Sequence, residues 1–204
     1  MQNTSRSRVR RLGGIAAATA LVIFGAAAVA MGVDGRSTVR SALRQEGVVG
    51  APHMAPAAIA PMAKEAGLDD VALPTCSVAA KPVNHGAAAR CFAEYMRIDA
   101  LMATKGATYA QLPAFATRDG KGTNDLARAR RGTDGQPVDN PARDVWVTAT
   151  ALSTALNTSY MAEQISLFGI AVGAAFLLVG LVFALVAIRG GHFLPRTREG
   201  RAGT

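Results

Sequence analysis

Histidine and cysteine are scarce in this chain, with three and two among 204 residues. A structural zinc site needs four nitrogen or sulfur ligands, so Cys76 and Cys91 do not make one, and His85 alone does not complete it. An iron centre of the two-histidine, one-carboxylate kind needs two imidazoles and a carboxylate converging, yet His53, His85 and His192 are the only histidines and the tail that holds His192 is expected across the membrane from the other two. Aromatic residues are only 5% of the chain. No aromatic platform interleaves the arginines and no recognition module is visible, so a nucleic-acid partner is not expected despite the net charge of +8. Basic ends are ordinary in a membrane protein and account for much of that excess.

Catalytic signatures are missing too. No G-x-S-x-G, S-x-x-K or H-E-x-x-H is present, and Ser77 and Lys81 are four apart rather than three. The Asp119 to Asp125 spacing resembles a calcium loop, but Lys121 takes a ligand position and the glycine and terminal glutamate are absent. Gly120-Lys121-Gly122-Thr123 lacks the upstream glycine of a phosphate loop. The expectation is a chain that is not an enzyme, with no cofactor and no metal.

Charge is wholly absent from two long stretches, and these organise the rest. Residues 165–188, ISLFGIAVGAAFLLVGLVFALVAI, are closed by Arg189, and residues 12–33, LGGIAAATALVIFGAAAVAMGV, follow a basic start at 1–11 with Arg6, Arg8, Arg10 and Arg11. Roughly 20 apolar residues in a helix cross the hydrocarbon core of a bilayer. The fold class expected is mainly α: two transmembrane helices flanking an extracytoplasmic helical domain at 34–164, with a basic tail at 189–204. Arg196, Arg198 and Arg201 in that tail and the arginines of the start put both termini in the cytoplasm of a multi-pass protein. The rival reading of the start is a cleaved secretory signal ending at Ala28-Val29-Ala30. The length of the apolar run favours the retained helix.

The two helices are expected to touch through small residues, Gly25, Ala28 and Gly32 on the first and the Gly169/Gly173 GxxxG on the second. The contact is either within the chain or between copies in a homo-oligomer.

Beyond residue 33, Asp34-Gly35 is expected to loosen the chain. RSTVRSALRQEG then reads as a helix with Arg36, Arg40 and Arg44 along one edge. That ladder is either a lipid or acidic-partner contact or a solvated face. Prolines punctuate 47–75, with Pro61 expected to open a short helix that Gly67 closes. In an oxidising compartment Cys76 and Cys91 read as a disulfide, closing a loop of about 15 residues.

Asn84 is the expected N-cap of a helix over 85–105, with Ala88, Cys91, Tyr95, Ile98 and Met102 as its buried stripe. Thr108 and Gln111 have the form of a capping box. The glycine-, aspartate- and arginine-rich stretch at about 114–140 has almost nothing to bury and is expected to be mobile. From Pro141 a single helix of almost 50 residues is expected to run into the second apolar stretch. Val145, Ala149, Leu152, Leu156 and Tyr160 form its stripe. Trp146 reads as packing rather than a membrane anchor.

The order of a first membrane helix, STVRSALRQEGVVGAPHM, LMATKGATYAQL and SLFGIAVGAAFLLVG resembles a family of small two-helix actinobacterial membrane proteins of uncharacterised function. Some members carry a dioxygenase-like name, for which these histidines give no support. The resemblance implies topology and fold and brings no catalytic residue. The function expected is a non-enzymatic accessory or scaffold component of an envelope complex, with the lipid bilayer and an envelope protein as partners. The alternative is a small-molecule or lipid-binding module at the outer membrane surface, with an envelope enzyme third.

Overall fold

The computed structural model describes residues 2–189, with side chains from Leu12 onward. The side chains of Arg6, Arg8, Arg10 and Arg11, the tail from 190 with Arg196, Arg198 and Arg201, and His192 lie outside the described residues. Four helices carry the rest: α1 (Gln2–Gln45), α2 (Pro56–Glu65), α3 (Gly86–Ala103) and α4 (Pro141–Arg189). The class is mainly helical, as expected, and among the described residues the only sheet-like pairings are isolated bridges. Contacts divide the chain into two units, Met1–Arg36 with Ile165–Thr204, and Ser37–Gln164.

The first unit holds the apolar parts of α1 and α4, which are long and apolar enough to cross a membrane. Their seam repeats every seven residues. Ala18, Gly25 and Gly32 of α1 meet Gly180, Gly173 and Ser166 of α4, so the two stretches run antiparallel. A repeat of seven keeps one stripe of a helix facing its partner, and small side chains let the backbones close up. The large side chains turn outward instead: Phe24, Phe168 and Leu178 are each about two-thirds exposed.

Nothing breaks α1 at Asp34-Gly35, contrary to the expected loosening. Gly35 packs on Ser166, where a Cβ would stand 2.8 Å from the hydroxyl oxygen. One interior glycine costs a helix about 1 kcal/mol, which packing of this kind offsets.

The second unit has its core in the cluster of Ile59, Val83, Tyr95 and Ile98 and their neighbours, with Trp146 and Leu156 of α4 packed against it. α2 begins one turn and more before the expected start. Pro56 occupies its first turn, and Pro61 lies inside it. The C-terminus forms as expected: Gly67 is at φ +74°, Leu68 N–H donates to Ala63 O and Gly67 N–H to Lys64 O. These are the paired bonds of a Schellman ending. α3 ends the same way, with Gly106 N–H on Leu101 O, but Lys105 as well as Gly106 adopts positive φ.

Between α1 and α3 the chain is tied by backbone hydrogen bonds rather than strands. Val83 N–H donates to Val48 O at 2.8 Å and Gly50 N–H to Lys81 O at 2.9 Å. Gly50 is obligatory here, because a Cβ would fall 1.9 Å from the Val78 carbonyl oxygen.

The stretch expected to be mobile is folded back on itself. Phe115 and Thr123 exchange backbone hydrogen bonds, Arg130 N–H donates to Ala116 O, and Val138 N–H donates to Arg130 O. Asn140 closes the turn by donating to Pro113 O at 2.9 Å. The bonds of this stretch join backbone and polar side-chain groups around a few buried small residues, Thr123 and Ala129, and not an apolar core.

Candidate functional site

α4 emerges from Pro141 with Asn140 as its cap, the Asn140 side chain accepting from Ala142 N–H. Its inward stripe in the second unit is Trp146, Ala149, Ser153, Leu156, Tyr160 and Glu163, spaced three and four apart. Expectation placed Val145 and Leu152 there. They are 37% and 50% exposed, and the inward stripe runs through Trp146 and Ser153, one residue on from each. Trp146 Nε1–H donates to Ala107 O at 2.9 Å, just past the end of α3. The buried Thr104 hydroxyl lies within hydrogen-bond distance of both Ala100 O and Ala107 O, with one proton to give to either, and its oxygen is 3.3 Å from the indole nitrogen. These polar contacts dock the start of α4 on the end of α3.

At its other end the same stripe presents Glu163, whose side chain is 6% exposed. Arg40 Nε donates to it at 2.9 Å, and Gly86 N–H, the first of α3, donates to its second oxygen at 2.5 Å. A carboxylate is well placed at a helix N-terminus, where free N–H groups and the dipole are both positive. Gly86 has no room for a side chain, since a Cβ would lie 2.9 Å from both Glu163 Oε2 and Tyr160 Cα. The predicted ladder is therefore divided. Arg40 is consumed inside the unit, while Arg44 at the end of α1 is exposed and Arg36 lies in the other unit.

The cysteines form a disulfide, Cys76–Cys91, with Cα atoms 6.0 Å apart. One helical turn on, the buried Tyr95 hydroxyl donates to Cys76 O at 2.7 Å. The Pro74–Ser77 segment is thus fastened over α3 by a covalent bond and a hydrogen bond. Burial, and then the neighbouring Glu94, push the Tyr95 phenol above its ordinary value. Arg90 lies over the Tyr160 ring, 5.0 Å from its centre, and pairs with Glu94 at 3.3 Å. Its pKa is raised, first by Tyr160 and then by Glu94.

The histidines do local work. His85, not Asn84, caps α3, its Nδ1 accepting from Ala88 N–H at 3.2 Å. His53 Nε2 sits 3.1 and 3.2 Å from the two oxygens of Asp99. Thr108 and Gln111 make only the backward arm of the capping box, Gln111 Oε1 accepting from Thr108 N–H at the start of a short turn.

Asp99 lines a groove of about 570 Å³ between α3 and the start of α4. Met96, Ala100 and Ala103 form one wall, and Pro141, Val145 and Ala149 the other. Asp144 and Thr148 complete it. Among the described residues no three of histidine, cysteine, aspartate and glutamate gather as a metal site.

The four expected packing glycines all lie against the facing helix, at different distances. Gly25, Gly32 and Gly173 stand in the seam of the first unit, within the chain. Gly169 makes only an ordinary contact, its nearest neighbour 3.6 Å from a built Cβ, and Gly180 is the close-packed residue that the GxxxG pattern misses. Gly180 lies seven residues after Gly173, on the same stripe of α4.

The second unit carries 13 lysines and arginines against 12 aspartates and glutamates, so the basic excess belongs to the two ends. No family model, curated protein or solved structure matches the chain.

Proposed function

We propose that this is a non-catalytic membrane module, anchored by two bilayer-spanning helices and displaying its 34–164 region outside the cytoplasm to a protein partner of the cell envelope. The topology rests on the arginine-rich flanks of both apolar stretches, which are retained on the cytoplasmic side. The disulfide suits the oxidising side of the membrane, where such bonds form and persist. The outward Phe24, Phe168 and Leu178 suit contact with acyl chains. Membership of the small two-helix actinobacterial family is part of the same proposal.

The observation that carries the non-catalytic reading is how the reactive side chains of the second unit are used. Both cysteines are joined, His85 caps a helix, His53 is paired, and the buried Glu163 holds Arg40 and the start of α3. Each is engaged in holding the fold. Meanwhile Val147 and Leu152 of α4 are half exposed or more, an apolar surface suited to a partner.

The test is purification of the full chain from mild detergent beside a Val147→Glu, Leu152→Glu variant. A stoichiometric partner that the variant loses supports the scaffold reading. A co-purifying lipid in its place favours the lipid-binding alternative.

A further inference from the structure

We infer that the groove between α3 and the start of α4 is a binding site for a small aliphatic diammonium ion, two cationic ends joined by an apolar chain. Its walls repeat in register. Met96, Asp99, Ala100 and Ala103 span two turns of α3, and Pro141, Asp144, Val145, Thr148 and Ala149 span two turns of α4. Each helix contributes one carboxylate, and the surface between them is apolar and floored by small side chains. Ala100 and Ala149 are buried, so the floor is closed. A volume of about 570 Å³ suits a small organic ligand.

The charges choose the occupant. No lysine, arginine or histidine lines the groove, in a unit whose basic and acidic residues otherwise nearly balance. An anion would meet two carboxylates and is excluded. Calcium asks for six or more converging oxygens, and this lining offers two carboxylates and one hydroxyl, set on different helices. A monocation neutralises one wall only. A dication with a methylene spacer neutralises both and covers the alanine floor, adding apolar burial to the ion pairs. His53 holds both oxygens of Asp99 without lining the groove, which orients the carboxylate.

The inference goes beyond the scaffold reading and does not depend on it. The experiment is calorimetric titration of the full chain in detergent with 1,6-diaminohexane, and with hexylamine and calcium chloride in parallel. Saturable binding of the diamine is expected, tighter than that of hexylamine or calcium. Asp99→Asn and Asp144→Asn should each weaken it, on the order of two- to fivefold as exposed ion pairs do. Ala103→Leu, at an exposed helical position that fills the groove and keeps both charges, should abolish it. Binding unchanged in all three variants, no binding by the wild type, or calcium and hexylamine binding as tightly as the diamine would each overturn the inference. Thermal unfolding of each variant at the wild-type temperature establishes that lost binding reflects the groove and not the fold.

Discussion

Gly25 and Gly173 face each other across the apolar helix pair so closely that a Cβ on either would stand 2.7–2.8 Å from the other's carbonyl oxygen. Neither backbone can withdraw without opening the seam above and below. Gly173→Ala should therefore destabilise the pair by about 1–3 kcal/mol, the usual cost of overpacking. Gly169→Ala, four residues away with ordinary contacts, should change little. Thermal unfolding in detergent distinguishes the two. Equal effects would remove the heptad seam and restore the GxxxG reading.

The disulfide supplies a second prediction. Closing a loop of this length is worth about 3 kcal/mol in the chain-entropy model, a large share of the stability of a small domain. Replacing Cys76 and Cys91 by serine should lower the denaturant midpoint accordingly. A reducing agent should do the same to the wild type and nothing further to the variant.

Tyr95 links stability to alkaline pH. Its folded pKa is raised, so the folded state holds the phenolic proton more tightly than the unfolded chain does. That contribution is complete below the ordinary tyrosine value of 10.0 and is lost as pH rises through the folded value. Tyr95→Phe should cost about 1–2 kcal/mol at neutral pH, because the Cys76 carbonyl loses its donor. It should also flatten the alkaline limb of the stability curve. Denaturant titrations at pH 8 and above 10 measure both.

Glu163 and Arg40 should behave unequally. Removing Arg40 leaves a buried carboxylate with fewer partners, whereas Glu163→Gln keeps an acceptor for Gly86 N–H. Because Arg40 is about one-third exposed, the loss in Arg40→Ala is set at about 1–3 kcal/mol, below that of a fully buried pair. Glu163→Gln should cost less. Chemical denaturation of the two variants decides the order.

These contacts show where sequence reading reached and where it stopped. The long α4 was legible because apolar periodicity ran unbroken from Pro141 past Ile165, and the disulfide because two cysteines in one segment leave one pairing. The heptad of small residues is also written in the sequence, but the GxxxG spacing includes Gly169 and passes over Gly180, which sits closer to the facing helix. The inward stripe of α4 was displaced by one residue, since Val145 and Trp146 are both apolar and periodicity alone does not rank them. Glu163 lay on the true stripe, three residues past Tyr160, yet a carboxylate is ordinarily read as exposed. The groove was not legible at all. It joins Asp99 to Asp144 across 45 residues of sequence, and the docking of α4 on α3, through Trp146 at one end and Glu163 at the other, brings them to one place.

The most direct test of the two-span account is cysteine labelling in intact cells with a membrane-impermeant maleimide, the native pair being silent as a disulfide. Arg128→Cys should label before lysis, and Arg201→Cys only after it. Protection of position 128, or labelling of position 201 in unbroken cells, would contradict the account.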